Sequence, residues 1–233
     1  MPTQKIIILK HFEAWSYSRR HDYQECPRKS YLKYLAKLPE PENAAMAAGN
    51  EVHKACEAYV LGRLPADPVP PRLANFEAEF KAVRRIATVR TEEQWAFTRD
   101  WKPTGWFDKD AWCRSKADLH WLVPATRTNG CTVFNVDHKT GKEYESHADQ
   151  EKLYALTTFL KYPEAEWVRT AYWYLDLGKM VQGVYHRDQV PALQAEEEAR
   201  TAPMLADRTF APRPSDKCRF CHYSAAKNGP CEF

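Results

Sequence analysis

The stretch NVDHKTG at Asn135–Gly141 ends a predicted strand and decides the fold of this chain. Side chains two residues apart point to the same face of a strand, so Asp137 and Lys139 share one side. A carboxylate in this place can hold a divalent cation while the lysine orients or deprotonates a water molecule. The other interpretation of the pattern is a surface ion pair before a glycine turn.

The elements around this stretch follow an order that indicates an α/β protein. The first third of the chain is predicted to be helical, with breaks at Pro27 and at the four prolines of residues 64–71. Strands are then predicted at 94–100, 111–123 and 131–137, a helix at 146–162, strands at 168–177 and 180–187, and a last helix from 191 to about 205. This order predicts a mixed sheet flanked by helices.

We expect a single domain over residues 1–233. Its parts are a mainly helical region 1–90, a sheet core 91–190, and a helix with a cysteine-rich tail at 191–233.

Composition and charge describe an ordinary folded protein. Hydrophobic residues make up 44% of the chain and charged residues 28%, and the net charge of +3 is too small to indicate nucleic-acid binding by itself. The apolar run Ile6–Leu9 is too short for a signal peptide or a membrane span. We therefore expect an intracellular, cytoplasmic protein with no membrane role.

A second aspartate lies within an apolar strand upstream. Asp118 is part of the run Lys116–Leu122, whose neighbouring apolar side chains are usually buried. Burial of an unpaired carboxylate is costly, and a bound cation offsets the cost. A half-exposed strand with Asp118 on its wet side is the alternative.

Two helices carry further polar candidates. Gly49 lies one turn before His53 on the second helix, where a glycine lets a neighbouring chain come close. On a later helix Gln150 and Tyr154 share a face at i and i+4. Taken alone, His53 is also compatible with a surface or core histidine, and Gln150 with a polar helix edge.

Together these residues resemble the motif series of RecB-type nucleases in the PD-(D/E)XK superfamily: Gly49-x3-His53, Asp118, Asp137-x-Lys139-Thr140-Gly141 and Gln150-x3-Tyr154. The resemblance implies that a Mg²⁺ or Mn²⁺ ion is bound by His53, Asp118, Asp137 and the backbone carbonyl of His138. It implies that Lys139 handles the attacking water, and that Gln150 and Tyr154 support the site and touch DNA. Glu93, with Glu92 adjacent to it, resembles an acidic position at the start of the first strand.

Seven cysteines in a reducing compartment indicate metal binding or plain burial rather than disulfides. Three of them form the tail pattern Cys218-x2-Cys221-x9-Cys231, in a segment with little capacity to pack by itself, so a metal or cluster is expected to hold it. Cys26, just before Pro27, is the candidate for the fourth ligand. The other three, Cys56, Cys113 and Cys131, fall inside helix or strand patterns and are interpreted as buried small apolar residues.

One early cysteine followed by three late ones resembles the iron–sulfur staple of AddB-type and CRISPR-associated RecB-like nucleases. The resemblance implies a [4Fe–4S] cluster held by Cys26, Cys218, Cys221 and Cys231, with a structural role. The x9 gap is longer than the short spacing expected in those families. Zn²⁺ with His222 replacing a cysteine therefore stays an alternative, as do unliganded cysteines.

The family resemblance implies hydrolysis of phosphodiester bonds in DNA. It favours an exonuclease that acts on single strands or DNA ends in recombination or repair, with a recombinase or helicase as a possible partner. One rival is a DNA-binding scaffold protein that does not cut its substrate. The other is a nuclease that acts on RNA.

Overall fold

The computed structural model describes residues 10–41, 44–144 and 147–233. The chain divides into two compact units. The first combines the described residues up to Pro41 with Glu197–Phe233, and the second covers the described part of Glu42–Glu196. The single domain over 1–233 stays a prediction. The apolar run Ile6–Leu9 lies outside the described residues, as do Asn43 and Ser146, where two predicted helices begin.

The helices and strands account for most of the described chain. In chain order they are β1 Trp15–Ser16, α1 Tyr17–Glu25, α2 Pro27–Ser30, a π-helix at Tyr31–Leu35, α3 Ala44–Val60, a 3-10 helix at Pro71–Phe76 leading into α4 Glu77–Val83, β2 Arg90–Phe97, β3 Pro103–Thr104, β4 Cys113–Val123, β5 Thr132–Lys139, α5 His147–Lys161, β6 Trp167–Tyr174, β7 Lys179–His186 and α6 Val190–Ala206. Short 3-10 helices lie at Arg187–Gln189, Asp216–Phe220 and Ala225–Lys227. No helix among the described residues is both long and apolar enough to cross a membrane.

A mixed sheet forms the centre of the second unit. Its strands run in the order β3-β2-β4-β5-β6-β7. Neighbouring strands are antiparallel except β5 and β6, which are parallel from Thr132↔Trp167 to Lys139↔Tyr174. Parallel neighbours need a long crossover connection, and α5 is part of it. The structure confirms the predicted mixed sheet with flanking helices.

The first long strand of the sheet begins earlier than the sequence predicts. Residues 94–100 are the expected strand, but β2 covers Arg90–Phe97 and pairs with β4 from Arg90↔His120 to Phe97↔Cys113. Its polar start does not prevent pairing, because ladder hydrogen bonds use the backbone. The strand ends where a turn closes between Thr98 and Trp101, whose N–H donates to the Thr98 carbonyl at 2.9 Å.

Two helices cover part of this sheet with an apolar layer. Tyr59 of α3, Phe80 of α4 and Leu119 of β4 are each fully buried in it. Trp173 of β6 stacks on Phe76 with ring centroids 5.2 Å apart. Burying each such side chain contributes about 1.5–3 kcal/mol, so this layer fixes where α3 stands against the strands.

The first unit begins with two short helices joined at a cysteine. The Ser16 hydroxyl accepts a hydrogen bond from Arg19 N and caps α1. Cys26 is extended, with φ of −158°, and Pro27 takes the first position of α2, where a missing N–H costs little. The predicted break at Pro27 is therefore confirmed. Farther on, the buried ion pair of Arg20 and Glu197 joins α1 to α6.

Candidate functional site

Two aspartates lie where β4 and β5 separate. The pairing of the two strands ends at Leu119↔Val136, and the next residues on each strand are Asp118 and Asp137. Both are buried, at 8% and 4% exposure. Burial, followed by the charge of Asp137, raises the pKa of Asp118 well above its usual range. Two carboxylates held this close out of water repel each other, and a cation between them relieves the repulsion.

Asp137 and Lys139 are part of a closed ring of polar contacts. Lys139 Nζ lies 2.8 Å from Asp137 Oδ2 and donates to Gln150 Oε1 at 2.8 Å. Gln150 Nε2 donates to the Tyr154 hydroxyl at 2.7 Å, and that hydroxyl donates to Asp137 Oδ1 at 2.7 Å. The strand end and the start of α5 thus hold each other in place. The structure brings all four predicted residues together.

His53 reaches the aspartates from α3. Its Nδ1 lies 3.2 Å from Asp118 Oδ2 and 3.7 Å from Glu92 Oε1. Burial lowers the pKa of His53, but the hydrogen bond with Glu92 and the nearby aspartates raise it above the usual value. A side chain at Gly49 would meet only Thr140 Oγ1 at 3.6 Å, an ordinary contact. Close approach at Gly49 therefore does not explain the glycine.

His138 contributes more than a backbone carbonyl. Its imidazole is 3% exposed, and its Nε2 has no hydrogen-bond partner among the described residues. Ligand atoms of His53, Asp118 and His138 lie within 4.8 Å of one another. The backbone N–H of His138 also donates to Asp118 Oδ2 at 3.1 Å. Strand alternation turns this imidazole away from Asp137, and for that reason the motif did not reveal it.

Glu92, and not Glu93, is the acidic residue of β2 at this site. In the register of β2 with β4, Glu92 lies opposite Asp118. It pairs with Lys116 and lines a cavity of about 390 Å³ together with His53 and Asp118. Burial alone would raise the pKa of Glu92. The contacts with His53 and Lys116 have the larger effect and lower this pKa to about 2. Its φ of 54° is in the left-handed region, which is uncommon for a non-glycine residue within a strand.

Glu93 lies in a different cluster. Its Oε2 accepts a hydrogen bond from Trp95 Nε1 at 2.9 Å and is 3.4 Å from His120 Nε2. The same His120 nitrogen contacts the Tyr162 hydroxyl at 2.8 Å. The structure therefore places Glu92, and not Glu93, beside His53 and Asp118, because the two neighbours on a strand face different sides.

Four cysteines surround a cavity in the first unit. The cavity has a volume of about 440 Å³ and is lined by Cys26, Cys218, Cys221 and Cys231. Cys26 Sγ accepts a hydrogen bond from Arg213 N, and Cys218 Sγ accepts one from Ser215 N, both at 3.4 Å. Burial raises the pKa of Cys221, and the nearby Cys26 and Cys231 thiols raise it further.

The lining also includes His222 and a set of cations: Arg28, Lys29, Arg213 and Lys217. The remaining cysteines, Cys56, Cys113 and Cys131, are buried, which confirms the prediction for them.

Comparison with known proteins gives one family. A model of the PD-(D/E)XK nuclease superfamily matches residues 14–122 and 116–226. Among solved structures, SSO0001 is 15% identical with a TM-score of 0.43, over 96% of this chain and 89% of that one. A protein from Eubacterium rectale, named as a candidate exonuclease, is 10% identical with a TM-score of 0.46, over 90% and 87% of the two chains. No curated protein matches the sequence.

Proposed function

This chain belongs to the PD-(D/E)XK nuclease superfamily, and from this premise we propose that it is a metal-dependent deoxyribonuclease. The proposed substrates are single-stranded DNA and DNA ends, and exonuclease action is favoured over endonuclease action. The observation that carries the proposal is the ring of Asp137, Lys139, Gln150 and Tyr154 beside Asp118. A surface ion pair before a turn needs no such ring.

The buried donors fit a divalent cation. Asp137 Oδ2 is buried and lies 2.8 Å from the Lys139 ammonium. Carboxylate and carbonyl oxygens suit Mg²⁺ and Mn²⁺. His53, Asp118, Asp137 and the backbone carbonyl of His138 would hold the ion, which when bound stabilises charge on the phosphate. Glu92 adds a carboxylate to the same cavity.

Lys139 is proposed to act on the attacking water. Its Nζ is fixed by Asp137 on one side and by Gln150 on the other. Lys139 would orient this water, or take its proton when Nζ is neutral, as the water oxygen forms its bond to phosphorus. The leaving oxygen departs with the electron pair of the broken bond, and a bound cation would stabilise its charge. The Tyr154 hydroxyl keeps Asp137 oriented, and burial raises the pKa of Tyr154 well above its usual value. The phenol therefore stays a neutral donor.

The test is a timed digestion of end-labelled single- and double-stranded DNA with Mg²⁺, Mn²⁺ or EDTA. Asp137→Ala removes a proposed ligand, and Lys81→Ala on α4 is the matched control. Metal-dependent cutting that Asp137→Ala loses and Lys81→Ala keeps would support the nuclease and reveal its polarity. Binding of DNA without cutting under any condition would favour a scaffold protein. Preferential cutting of a matched RNA strand would move the substrate to RNA.

The second part of the proposal is a structural [4Fe–4S] cluster held by Cys26, Cys218, Cys221 and Cys231. A zinc ion with bonds of about 2.3 Å to sulfur sets the sulfurs roughly 3.8 Å apart. Among the described residues no cysteine belongs to a set of three ligand atoms within 4.8 Å. A cluster spreads its thiolates more widely, and the 440 Å³ cavity leaves space for it. The backbone N–H groups of Arg213 and Ser215 donate to the sulfurs of Cys26 and Cys218, and such contacts tune iron–sulfur clusters.

Elemental analysis of protein purified without oxygen tests this assignment. We expect iron, a brown colour, and loss of both in Cys26→Ser but not in Cys131→Ser, whose thiol is buried elsewhere. Colourless protein that contains zinc and no iron would replace the cluster by Zn²⁺, with His222 as a further candidate ligand. A recombinase or helicase partner remains a prediction from the resemblance.

A further inference from the structure

A turn between β3 and β4 displays two aromatic side chains. Trp106 and Phe107 take its central positions, and the Asp108 N–H donates to the Gly105 carbonyl at 3.1 Å. Turn centres favour Gly, Pro, Asn, Asp and Ser. Phe107 is 90% exposed, the highest value among the large hydrophobic side chains described as exposed. Sequences break a local rule of this kind mostly at functional positions.

Hydrogen bonds within the turn hold its backbone in place and keep Phe107 exposed. The Asp108 carboxylate accepts hydrogen bonds from Gly105 N at 2.7 Å and from the Thr104 hydroxyl at 2.8 Å. A second turn follows, in which Ala111 N donates to the Asp108 carbonyl at 3.2 Å. A side chain at Gly105 would meet the Asp108 carboxylate at 2.7 Å, so it would displace the group that accepts these two hydrogen bonds.

Buried tryptophans anchor the segment on both sides. Trp101 and Trp112 are each 6% exposed and pack edge to face with ring centroids 5.1 Å apart. Arg114 Nε donates to the Trp106 carbonyl at 2.9 Å, and its guanidinium lies 5.8 Å from the Trp106 ring. The buried rings of Trp101 and Trp112 thus hold the segment on the sheet, and Phe107 is left exposed to solvent.

The segment leads into β4, the strand that carries Asp118 of the proposed catalytic site. β4 runs from Cys113 to Val123, and Asp118 is its central residue, five residues after Cys113. At the rise of an antiparallel strand, Cys113 and Asp118 are about 17 Å apart. The turn lies beyond Cys113, so a DNA strand held at Asp118 would extend several nucleotides to reach it.

Charges of both signs surround the turn. The cations Arg99, Lys102, Lys109 and Arg114 stand against Asp100, Asp108 and Asp110, a positive excess of one. Lys102 pairs with Asp100, whereas no described carboxylate pairs with Arg99, Lys109 or Arg114. A small positive excess beside an exposed aromatic ring suits the binding of a single strand.

We propose that Phe107 is a stacking residue for a base of the DNA strand that occupies the active site. This inference rests on the proposed nuclease function and adds a second contact region to it. Base stacking on an aromatic ring tolerates any sequence, because every base has a π face. Phe107 therefore contributes affinity for an unpaired strand and no sequence preference.

The test uses single-stranded oligonucleotides with 2-aminopurine at successive positions from the labelled end. They are bound to Lys139→Ala protein, which leaves them uncut. We expect quenching of the fluorescence at one or two positions a few nucleotides from the site of cleavage. Adding Phe107→Ala should abolish this quenching and raise Kd by roughly 5- to 100-fold, the range for loss of one stacked base. Phe107→Trp should restore both.

Leu177→Ala is the matched control, because Leu177 is also exposed, at 53%, on another turn of the same unit. It should leave quenching and Kd unchanged. If wild-type protein cuts DNA while Phe107→Ala binds as tightly and quenches as strongly, the stacking role is overturned and Phe107 is left to a protein contact. If wild-type protein neither binds nor cuts DNA, the proposed function fails first.

Discussion

The acidic site on the sheet and the cysteine site of the first unit are built in opposite ways. In the acidic site, Asp137, Lys139, Gln150 and Tyr154 already bind one another. In the cysteine site, four thiols line a 440 Å³ cavity, and no three of their ligand atoms come within 4.8 Å. The first site is organised by its own hydrogen bonds, whereas the second would depend on the proposed cluster. Losses at the first should therefore appear in rate, and losses at the second in stability.

The largest expected effect is on the rate of cleavage by Lys139→Ala. A positioned general base contributes about 10²–10⁴-fold, so kcat should fall by that factor. The thermal midpoint and iron content should stay near those of the wild type, because the cysteines belong to the other unit. Steady-state kinetics and a melting curve on the same preparation check this. Unchanged kcat would remove Lys139 from the chemistry.

Loss of the cluster should have the largest effect on stability. The proposed cluster would link Cys26 to the tail and so close a loop of well over 100 residues. Cys218→Ser would remove one ligand of the cluster and open this loop. A cross-link over a 100-residue loop is worth about 4.7 kcal/mol in the entropy model, and metal binding is part of the folding energy. We expect a loss of roughly 4 kcal/mol in the free energy of unfolding, measured by urea denaturation. Cys131→Ser is the control, and equal losses in both would contradict the comparison.

Tyr154→Phe should have a smaller effect, which appears in both the cleavage rate and the stability. It removes the hydroxyl between Gln150 Nε2 and Asp137 Oδ1 and leaves both without that partner. An unsatisfied buried polar group costs about 1–3 kcal/mol. We expect a loss of stability in that range and a drop in kcat of about tenfold, since Asp137 loses its orientation. A stability loss with full activity would mean that the ring serves folding alone.

The smallest effect concerns pH and the first unit. Burial alone would raise the pKa of Asp207. The hydrogen bonds from Phe210 N and Thr209 N have the larger effect and lower this pKa to about 2. A depressed pKa stabilises the fold above the usual value of 3.8, and this contribution disappears as the pH falls from about 4 to about 2. Asp207→Asn should therefore lower stability near neutral pH and flatten its decline in acid. Melting curves over that pH range check it, with Asp188→Asn on the other unit as the control.

The sequence predicted the elements that have strong periodicity. α5 was predicted from leucines at 3-and-4 spacing, and β5 from a short β-rich run. Asp137, Lys139, Gln150 and Tyr154 were singled out by the resemblance to RecB-type nucleases. The start of β2 was missed because its residues Arg90–Gln94 are polar, and backbone pairing leaves no mark in hydropathy. Glu92 was not selected because its left-handed φ cannot be read from the sequence.

Contacts between distant segments account for the rest. The imidazole of His138 packs against Phe80 of α4, with ring centroids 5.4 Å apart. The exposure of Phe107 depends on where Trp101 and Trp112 are buried. Residue patterns do not encode such packing, because it arises from the folded arrangement of several elements.

The ring around Asp137 runs in one sense. An ammonium group only donates and a carboxylate only accepts, so Gln150 must turn its Oε1 to Lys139 and its Nε2 to Tyr154. A Gln150 amide turned by 180° would set its NH₂ group against the Lys139 ammonium, donor against donor. The ring therefore fixes the orientation of this amide, and with it the group that donates to the Tyr154 hydroxyl.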